Sequence, residues 1–419
     1  MDRYVINGGH RLEGEVRIDG SKNSVLPILA ATIISGKESV IHSVPELRDV
    51  ELLSGLLRSI GCKCFSENGT LIVKSNNPLD TSIPEKPVRE MRSSIILMGA
   101  MLARNGQVKI SYPGGCEIGP RPIDIHLSGL KRLGAKVMEA HGYINCECDK
   151  LKGAEINLDY PSVGATENIM LAATTAEGIT VIQNAAKEPE IIDLQNFLNG
   201  MGAKISGAGT STVKIEGVKD FHDVEHTVIP DRIVAGTLMA AAAITGGNIV
   251  LNNVINEHLK SITSKLTESG CIITEYQNSL HIICSKKLKA VEVIKTLPYP
   301  GFATDMQAQM MAAMTIAKGT SIFIETVFES RYKHVEELMK MGASIKVDGR
   351  TAIVRGVKKL TGAEVRAGDL RGGASLVLAG LAAEGTTVVD NVKLHIDRGY
   401  DKLENKLAKL GADIHRITT

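Results

Sequence analysis

The sequence predicts an α/β fold of two domains, each built from three βαβαββ repeats, and three observations carry that prediction. At 419 residues the chain exceeds what one hydrophobic core usually serves. A helix ending in glycine, usually followed by Ala or Cys and then a strand, recurs six times, as LLRSIGCKC, LKRLGAKV, FLNGMGAKI, LTESGCII, LMKMGASI and LAKLGADI. Its glycines, Gly61, Gly134, Gly202, Gly270, Gly342 and Gly411, lie 68 to 73 residues apart. A spacing so regular marks a repeated structural unit.

Each unit opens with a small-residue helix, a glycine turn and a strand, as in IMLAATTAEGITVIQNA and LVLAGLAAEGTTVVDNV. Glycine after a helix is the expected left-handed cap, and the β-branched run Thr386-Thr387-Val388-Val389 has strand character. The second helix and its glycine follow, then two strands, as in AKVMEAHGYINCEC and GAEINLDY. The sixth copy stops at Thr419 after one strand, and the run from Tyr4 to Ile18 matches the missing end. Those N-terminal strands are therefore expected to complete the last unit. Domain one is then residues 22–229, and domain two is 1–21 with 230–419, the chain crossing near Gly20 and Pro230.

Composition narrows the function. Hydrophobic residues make up 43%, while aromatics are 3% and Trp is absent, so the interior is built from aliphatic side chains. Lys plus Arg (48) nearly balance Asp plus Glu (47), which argues against nucleic acid or an anionic membrane as a partner. No apolar run approaches the roughly 20 residues of a membrane span, and the first 20 residues carry no signal region. Seven cysteines, an odd number, without such a signal read as a reduced cytoplasmic setting. Cys62/Cys64 and Cys146/Cys148 are spaced C-x-C inside expected strands, which suits strand packing better than a zinc site.

Aligning the repeats places polar residues at the start of each first helix: Lys22-Asn23, Arg92, Ser162-Val163-Gly164, Asp231-Arg232, Thr304-Asp305 and Asp369-Leu370-Arg371. Helix starts offer unpaired N–H groups and suit anions. Ser162, Asp231, Thr304 and Asp369 are equally well read as N-caps. Lys22, Arg92, Arg232 and Arg371 oppose the helix dipole, and a bound anion would offset that cost. In the second unit the Gly/Pro-rich PGGCEIGPRPIDIH carries Cys116 and Arg121, the pattern of a mobile lid. The sixth unit carries HIDRGY with Arg398 in the corresponding loop.

These residues resemble the UDP-N-acetylglucosamine enolpyruvyl transferases over the whole chain. SKNSVLPILAA, MRSSI, PGGCEIGPRPIDIHL, SVGATE, PDRI, TDMQAQ, ETVFESR, DLRGGASLVLAGLAAEGTTVVD and HIDRGY carry the likeness in order. The resemblance implies two inside-out α/β domains of three repeats each, with phosphoenolpyruvate and UDP-N-acetylglucosamine as substrates and no metal or cofactor. It implies that Lys22, Asn23, Arg121 and Arg398 hold phosphoenolpyruvate and the departing phosphate. Cys116 matches the loop proton donor, and Asp305 the carboxylate beside the sugar 3-hydroxyl. Arg92, the run Arg121, Pro122, Ile123, Asp124, Ile125, then Ser162, Val163, Gly164 and Val327 match contacts to the nucleotide sugar, and Arg331, Asp369 and Arg371 complete the binding set. Tyr160-Pro161, Glu117 and Pro120 depart from common residues of that family. The shikimate-pathway enolpyruvyl transferase is the nearest rival, but its relatives lack a PGGC lid. An inactive, repeat-built binding paralogue is the rival of a different class, and Lys22, Cys116, Asp305 and Arg398 together argue against it.

Overall fold

The computed structural model describes residues 2–114, 123–285 and 287–418, and within them the repeat is plain. The third unit shows it whole. Strand Glu155–Asn157 runs parallel to Ile179–Gln183, which is antiparallel to Thr212–Glu216, which in turn pairs with Lys204–Ser206. The helices Val163–Ala173 and Pro189–Gly200 connect them. Five sheets of the described residues have four strands in this order, and one has three. In that exception, Gln107–Ser111, Tyr143–Glu147 and Lys136–Ala140, the first strand shrinks to a single parallel bridge between Ser82 and Lys109. All six helix-ending glycines have positive φ, between 90° and 115°, a conformation that side chains with a Cβ resist.

The chain divides into two compact units, one reaching Asp19 and resuming at Pro230, the other running from Gly20 to Ile229. Strand Asp2–Asn7 lies between Thr386–Asp390 and Asp413–Thr418, so it does complete the last repeat. The reading of Leu12 to Ile18 is corrected. Strand Glu13–Arg17 pairs parallel with Asn248–Asn252 and opens the fourth repeat. In the same way Val224–Thr227 pairs with Glu38–His42, although the helix following it in sequence belongs to the other unit. An opening strand needs its parallel partner for its backbone groups, and that partner is found in its own unit.

The first helices of the repeats are buried on every side. Arg232–Thr245, Gln307–Met314 and Leu370–Ala382 pack against one another, and Leu97–Asn105 packs against Val163–Ala173. Ala240, Ala241, Ala242 and Ala243 are fully buried. A helix surrounded by protein shows no amphipathic stripe, and small side chains let its neighbours approach. The second helices, such as Arg48–Ser59 and Lys260–Glu268, bury one face only. The layering is thus inside-out, helices within and sheets outside, as the resemblance implies. Of the thiol pairs, Cys64 and Cys146 lie in strands, whereas Cys62 and Cys148 lie just beyond strand ends. Burial pushes Cys62 and Cys146 up to about 12 and Cys64 to about 11. No cluster of three or more metal-ligating side chains gathers among the described residues, and no helix there is long and apolar enough to cross a membrane.

Candidate active site

Each unit gathers its own set of the residues singled out above. In the unit from Gly20 to Ile229, Lys22 opens helix Lys22–Ala31 without a side-chain cap on Ser21. Its Nζ reaches Asp49 Oδ2 at 2.8 Å, with both side chains nearly covered. Asp49 stands in the first turn of Arg48–Ser59, where a carboxylate also complements the helix dipole. Asn23 is half-buried beside it, and Ser24 on the next position bonds to Asp193, which also holds His226 at 2.9 Å.

A second group in this unit centres on His126, in helix Asp124–Arg132. Gly164 lies so close that a Cβ there would stand 3.1 Å from the imidazole. Arg92, at the start of Arg92–Ile96, and Asp124 both act electrostatically on that ring. Burial, with Arg92 adding to it, lowers His126 to about 4, so the imidazole is neutral. Asn168 places the proton: its Oδ1 accepts from Gly99 N at 2.6 Å, and its Nδ2 bonds to Ile95 O and His126 Nδ1. His126 Nδ1 therefore accepts, and its proton is on Nε2. Ile123 is buried, Asp124 exposed, and Ile125 and Val163 half-buried. Ser162 is an N-cap, accepting from Ala165 N at 3.3 Å. Just beyond it Glu167 is buried, and burial with Glu190 and Glu188 nearby raises its carboxyl well above the usual range.

In the other unit the centre is Asp305, in the turn Thr304–Met306 before helix Gln307–Met314. Its Oδ1 accepts from Arg331 Nη2 at 3.1 Å, and its Oδ2 from Arg371 Nε at 3.2 Å and Nη2 at 2.9 Å. Both arginine side chains are almost wholly buried, at 3% and 2% exposure, so the carboxylate is their counter-ion. Arg371 stacks over Tyr400 at 5.2 Å, and the Tyr400 hydroxyl meets Thr237 Oγ1 at 2.9 Å and Gln309 Nε2 at 3.1 Å. Gln309 Nε2 also donates to Asp305 O at 2.8 Å, which steadies the turn. Fully buried Glu325 accepts from Thr296, Val327 N, Phe328 N and Thr304, shaping the segment that presents Val327. Asp369 and Asp231 both cap their helices, whereas Thr304 turns to Glu325 instead. Arg398 lies in the turn Ile396–Arg398.

These geometries correct one inference. The anion expected to offset cations at the helix starts is, for Lys22 and Arg371, already a carboxylate of the chain. Arg232 stacks over Tyr299 at 5.5 Å. Charge position alone is therefore weaker testimony to a bound phosphate than the sequence suggests. Cys116, Arg121 and Pro122 lie outside the described residues.

A family model described as EPSP synthase (3-phosphoshikimate 1-carboxyvinyltransferase) matches residues 6–407. The chain belongs to the enolpyruvyl transferase family. Within that family it is similar to UDP-N-acetylglucosamine 1-carboxyvinyltransferase 2 of Caldanaerobacter subterraneus subsp. tengcongensis, 57% identical with all of both chains covered. UDP-N-acetylglucosamine 1-carboxyvinyltransferase 1 of the same organism is 56% identical, with 99% of each chain covered. Among solved structures, the enolpyruvyl transferase NikO from Streptomyces tendae matches at TM-score 0.90 and 26% identity, covering 100% of this chain and 99% of that one. EPSP synthase from Acinetobacter baumannii matches at TM-score 0.76 and 18% identity over all of both chains, a likeness of fold.

Seen as an enolpyruvyl transferase, the chain holds functional candidates that sequence reasoning passed over: Asp49, His126, Asn168, Glu325, Gln309 and Tyr400. Four carried a signal, since His126, Gln309, Glu325 and Tyr400 fall inside the quoted PIDIHL, TDMQAQ, ETVFESR and HIDRGY runs. Asp49 reads in sequence as an ordinary acidic residue of a helix's first turn. All but one of the described thiols are raised. Cys271 is the exception: the Cys284 thiol donates to it at 2.8 Å, lowering Cys271 and raising Cys284.

Proposed function

We propose that this chain transfers the enolpyruvyl group of phosphoenolpyruvate to the 3-hydroxyl of UDP-N-acetylglucosamine, releasing phosphate, as the first committed step of peptidoglycan synthesis in the cytoplasm. The observation that carries the reading is 57% identity along the entire chain to a protein named for that activity. The chemistry suits the residues. Addition of the hydroxyl at C2 of the enol needs a proton delivered to C3 and one removed from the sugar. Elimination then takes a proton back from C3 as the C2–O bond to phosphate breaks, and the departing phosphate takes up a proton. Asp305 is read as the group beside the sugar hydroxyl, and Cys116 as the donor to C3. Lys22, Asn23 and Arg121 are read as holding phosphoenolpyruvate and phosphate, a role read for Arg398 also. Arg guanidinium suits that task through bidentate bonding to carboxylate and phosphate. Arg92, Ile123 to Ile125, Ser162 to Gly164, Val327, Arg331, Asp369 and Arg371 are read as the nucleotide-sugar set. No step calls on nucleic acid or a membrane as partner.

Two measurements test this. Phosphate release should require both phosphoenolpyruvate and UDP-N-acetylglucosamine, and release with shikimate 3-phosphate in place of the sugar would favour the rival instead. Fosfomycin should alkylate Cys116 alone, faster with UDP-N-acetylglucosamine present, because a thiol beside cations is the reactive one. Peptide mapping that finds the label on Cys62, Cys64, Cys146, Cys148, Cys271 or Cys284 would remove Cys116 from its role.

A further inference from the structure

The turn that carries Arg398 is held by a residue from the end of the chain. Arg416, in the last strand Asp413–Thr418, extends its guanidinium among Asp2, Tyr4, Asp397 and Glu404. It grips Asp397 with two bonds, Nη1 to Oδ2 at 2.8 Å and Nη2 to Oδ1 at 2.6 Å. Its Nε donates to Glu404 Oε1 at 2.8 Å, Nη1 to Asp2 Oδ2 at 3.3 Å, and Nη2 to the Tyr4 hydroxyl at 2.9 Å. The guanidinium also lies over the Tyr4 ring, 5.1 Å from its centre. Every N–H donor of Arg416 is thus engaged, and three carboxylates share one cation. Such a set costs solvation and side-chain freedom, and an ordinary surface pair would hold the strand as well.

What the set adds is position. Asp397 immediately precedes Arg398, Ile396 before it is fully buried, and Tyr400 after it is locked by Thr237 and Gln309. The turn is therefore fastened on both sides of the one side chain that the proposed function needs in a defined place. Strand Asp2–Asn7 explains why Asp2 and Tyr4 join: it pairs residue for residue with the strand bearing Arg416, Tyr4 opposite Arg416 itself.

We propose that Arg416 is a positioning residue for Arg398, acting through its fork-to-fork bond with Asp397, so that the paired chain ends set the affinity for phosphoenolpyruvate. The proposal rests on the reading that Arg398 holds that substrate. Misplacing such a group by about 1 Å costs on the order of tenfold to a hundredfold in function. Steady-state kinetics on Arg416→Gln should show KM for phosphoenolpyruvate raised about tenfold or more, with KM for UDP-N-acetylglucosamine within about twofold. Arg416→Lys, which keeps the charge and loses the fork, should fall between Gln and the parent. Asp397→Asn should give the same selective rise, and serves alone if Arg416→Gln fails to fold. The Arg416→Gln/Asp397→Asn double variant should be no worse than the poorer single, as expected when both act through one bond. A folded Arg416→Gln or Asp397→Asn protein with unchanged KM for phosphoenolpyruvate overturns the positioning role. So does a loss shared equally between the two substrates, which marks a merely structural residue. Arg398→Ala measured alongside separates the two layers: if it too leaves that KM unchanged, the reading of Arg398 itself falls.

Discussion

The two units use the same repeat and bury ionisable groups at comparable places, yet the groups around Asp305 and those around Gly164 meet burial in different ways. Around Asp305, two covered arginines remain ionised because a carboxylate stands between them. Around Gly164, burial works against charge instead: His126 is held neutral and Glu167 is pushed towards its protonated form. A buried ion survives only with a counter-ion in hydrogen-bonding reach, and without one burial removes the charge. Lys22 with Asp49 shows that the second unit follows the first rule wherever a partner exists. The contrast teaches that a polar side chain at a helix start says little until its partner is known.

Carboxylate-to-amide substitutions should break or sharpen that contrast, and the largest effect belongs to Asp305. Asp305→Asn leaves Arg331 and Arg371 buried without their counter-ion. We expect a loss of about 3 kcal/mol in stability and a turnover loss of order hundredfold or more. Urea unfolding and phosphate release measure the two. Intact stability with lost turnover would mean that the arginines find other anions.

Acid comes next. His126 and His334 both sit near 4 when folded against 6.5 ordinarily, chiefly through burial. The unfolded chain takes up their protons first as pH falls. Their contribution is complete above about 6.5 and is lost as pH drops towards 4, at most about 3 kcal/mol for each. Thermal melts from pH 7 to pH 4 on the parent and His126→Asn report it. A variant with the parent's full pH slope would show that His126 contributes nothing.

Smaller again is a difference in how the inner helices meet. In the unit from Gly20 to Ile229, a Cβ at Gly99 would stand 2.1 Å from the Asn168 carbonyl oxygen, which is backbone and cannot swing away. At Gly236 in the other unit the close atoms are side-chain ends, Ile262 Cδ1 at 2.7 Å and Met306 Sδ at 2.9 Å. Gly99→Ala should cost about 2 kcal/mol and Gly236→Ala less than half as much. Equal losses in denaturant melts would remove the distinction.

The smallest effect has the opposite sign from the first. Burial, with Glu190 and Glu188 nearby, raises the Glu167 carboxyl well above its usual range, so it opposes folding at pH above about 4.5, where the unfolded carboxyl gives up its proton. Glu167→Gln should stabilise by about 1 kcal/mol at pH 8, and the gain should vanish below about pH 4.5. A destabilised Glu167→Gln at pH 8 would place an ionised, partnered carboxylate there and dissolve the contrast with Asp305.

Much of this architecture is legible in the residues. The glycines that end helices announce themselves because only glycine adopts that backbone cheaply, and six in register reveal the repeat. Caps at Ser162, Asp231 and Asp369 are equally local, since the bonds reach two or three residues ahead. Thr304 escaped that logic because Glu325, 21 residues on, offered a buried carboxylate. The repeat pattern alone puts Glu13–Arg17 in the last unit, whereas its pairing with Asn248–Asn252 puts it in the fourth, for a related reason. Circular repetition orders the elements but does not say which sheet edge receives a strand where the chain changes units.

The sequence by itself determined the repeat, the order of helices and strands, the turns between them and the family, because each depends on residues close together or on motifs kept whole. Only the tertiary structure decided that Asp49 answers Lys22, that Asp305 is shared by Arg331 and Arg371, and that Arg416 grips the turn of Arg398. Those bonds join residues 19 to 66 positions apart, and nothing in a local pattern records the distance between them. Their strength comes from burial, which removes competing water and makes each charge depend on the one partner that the fold brings near.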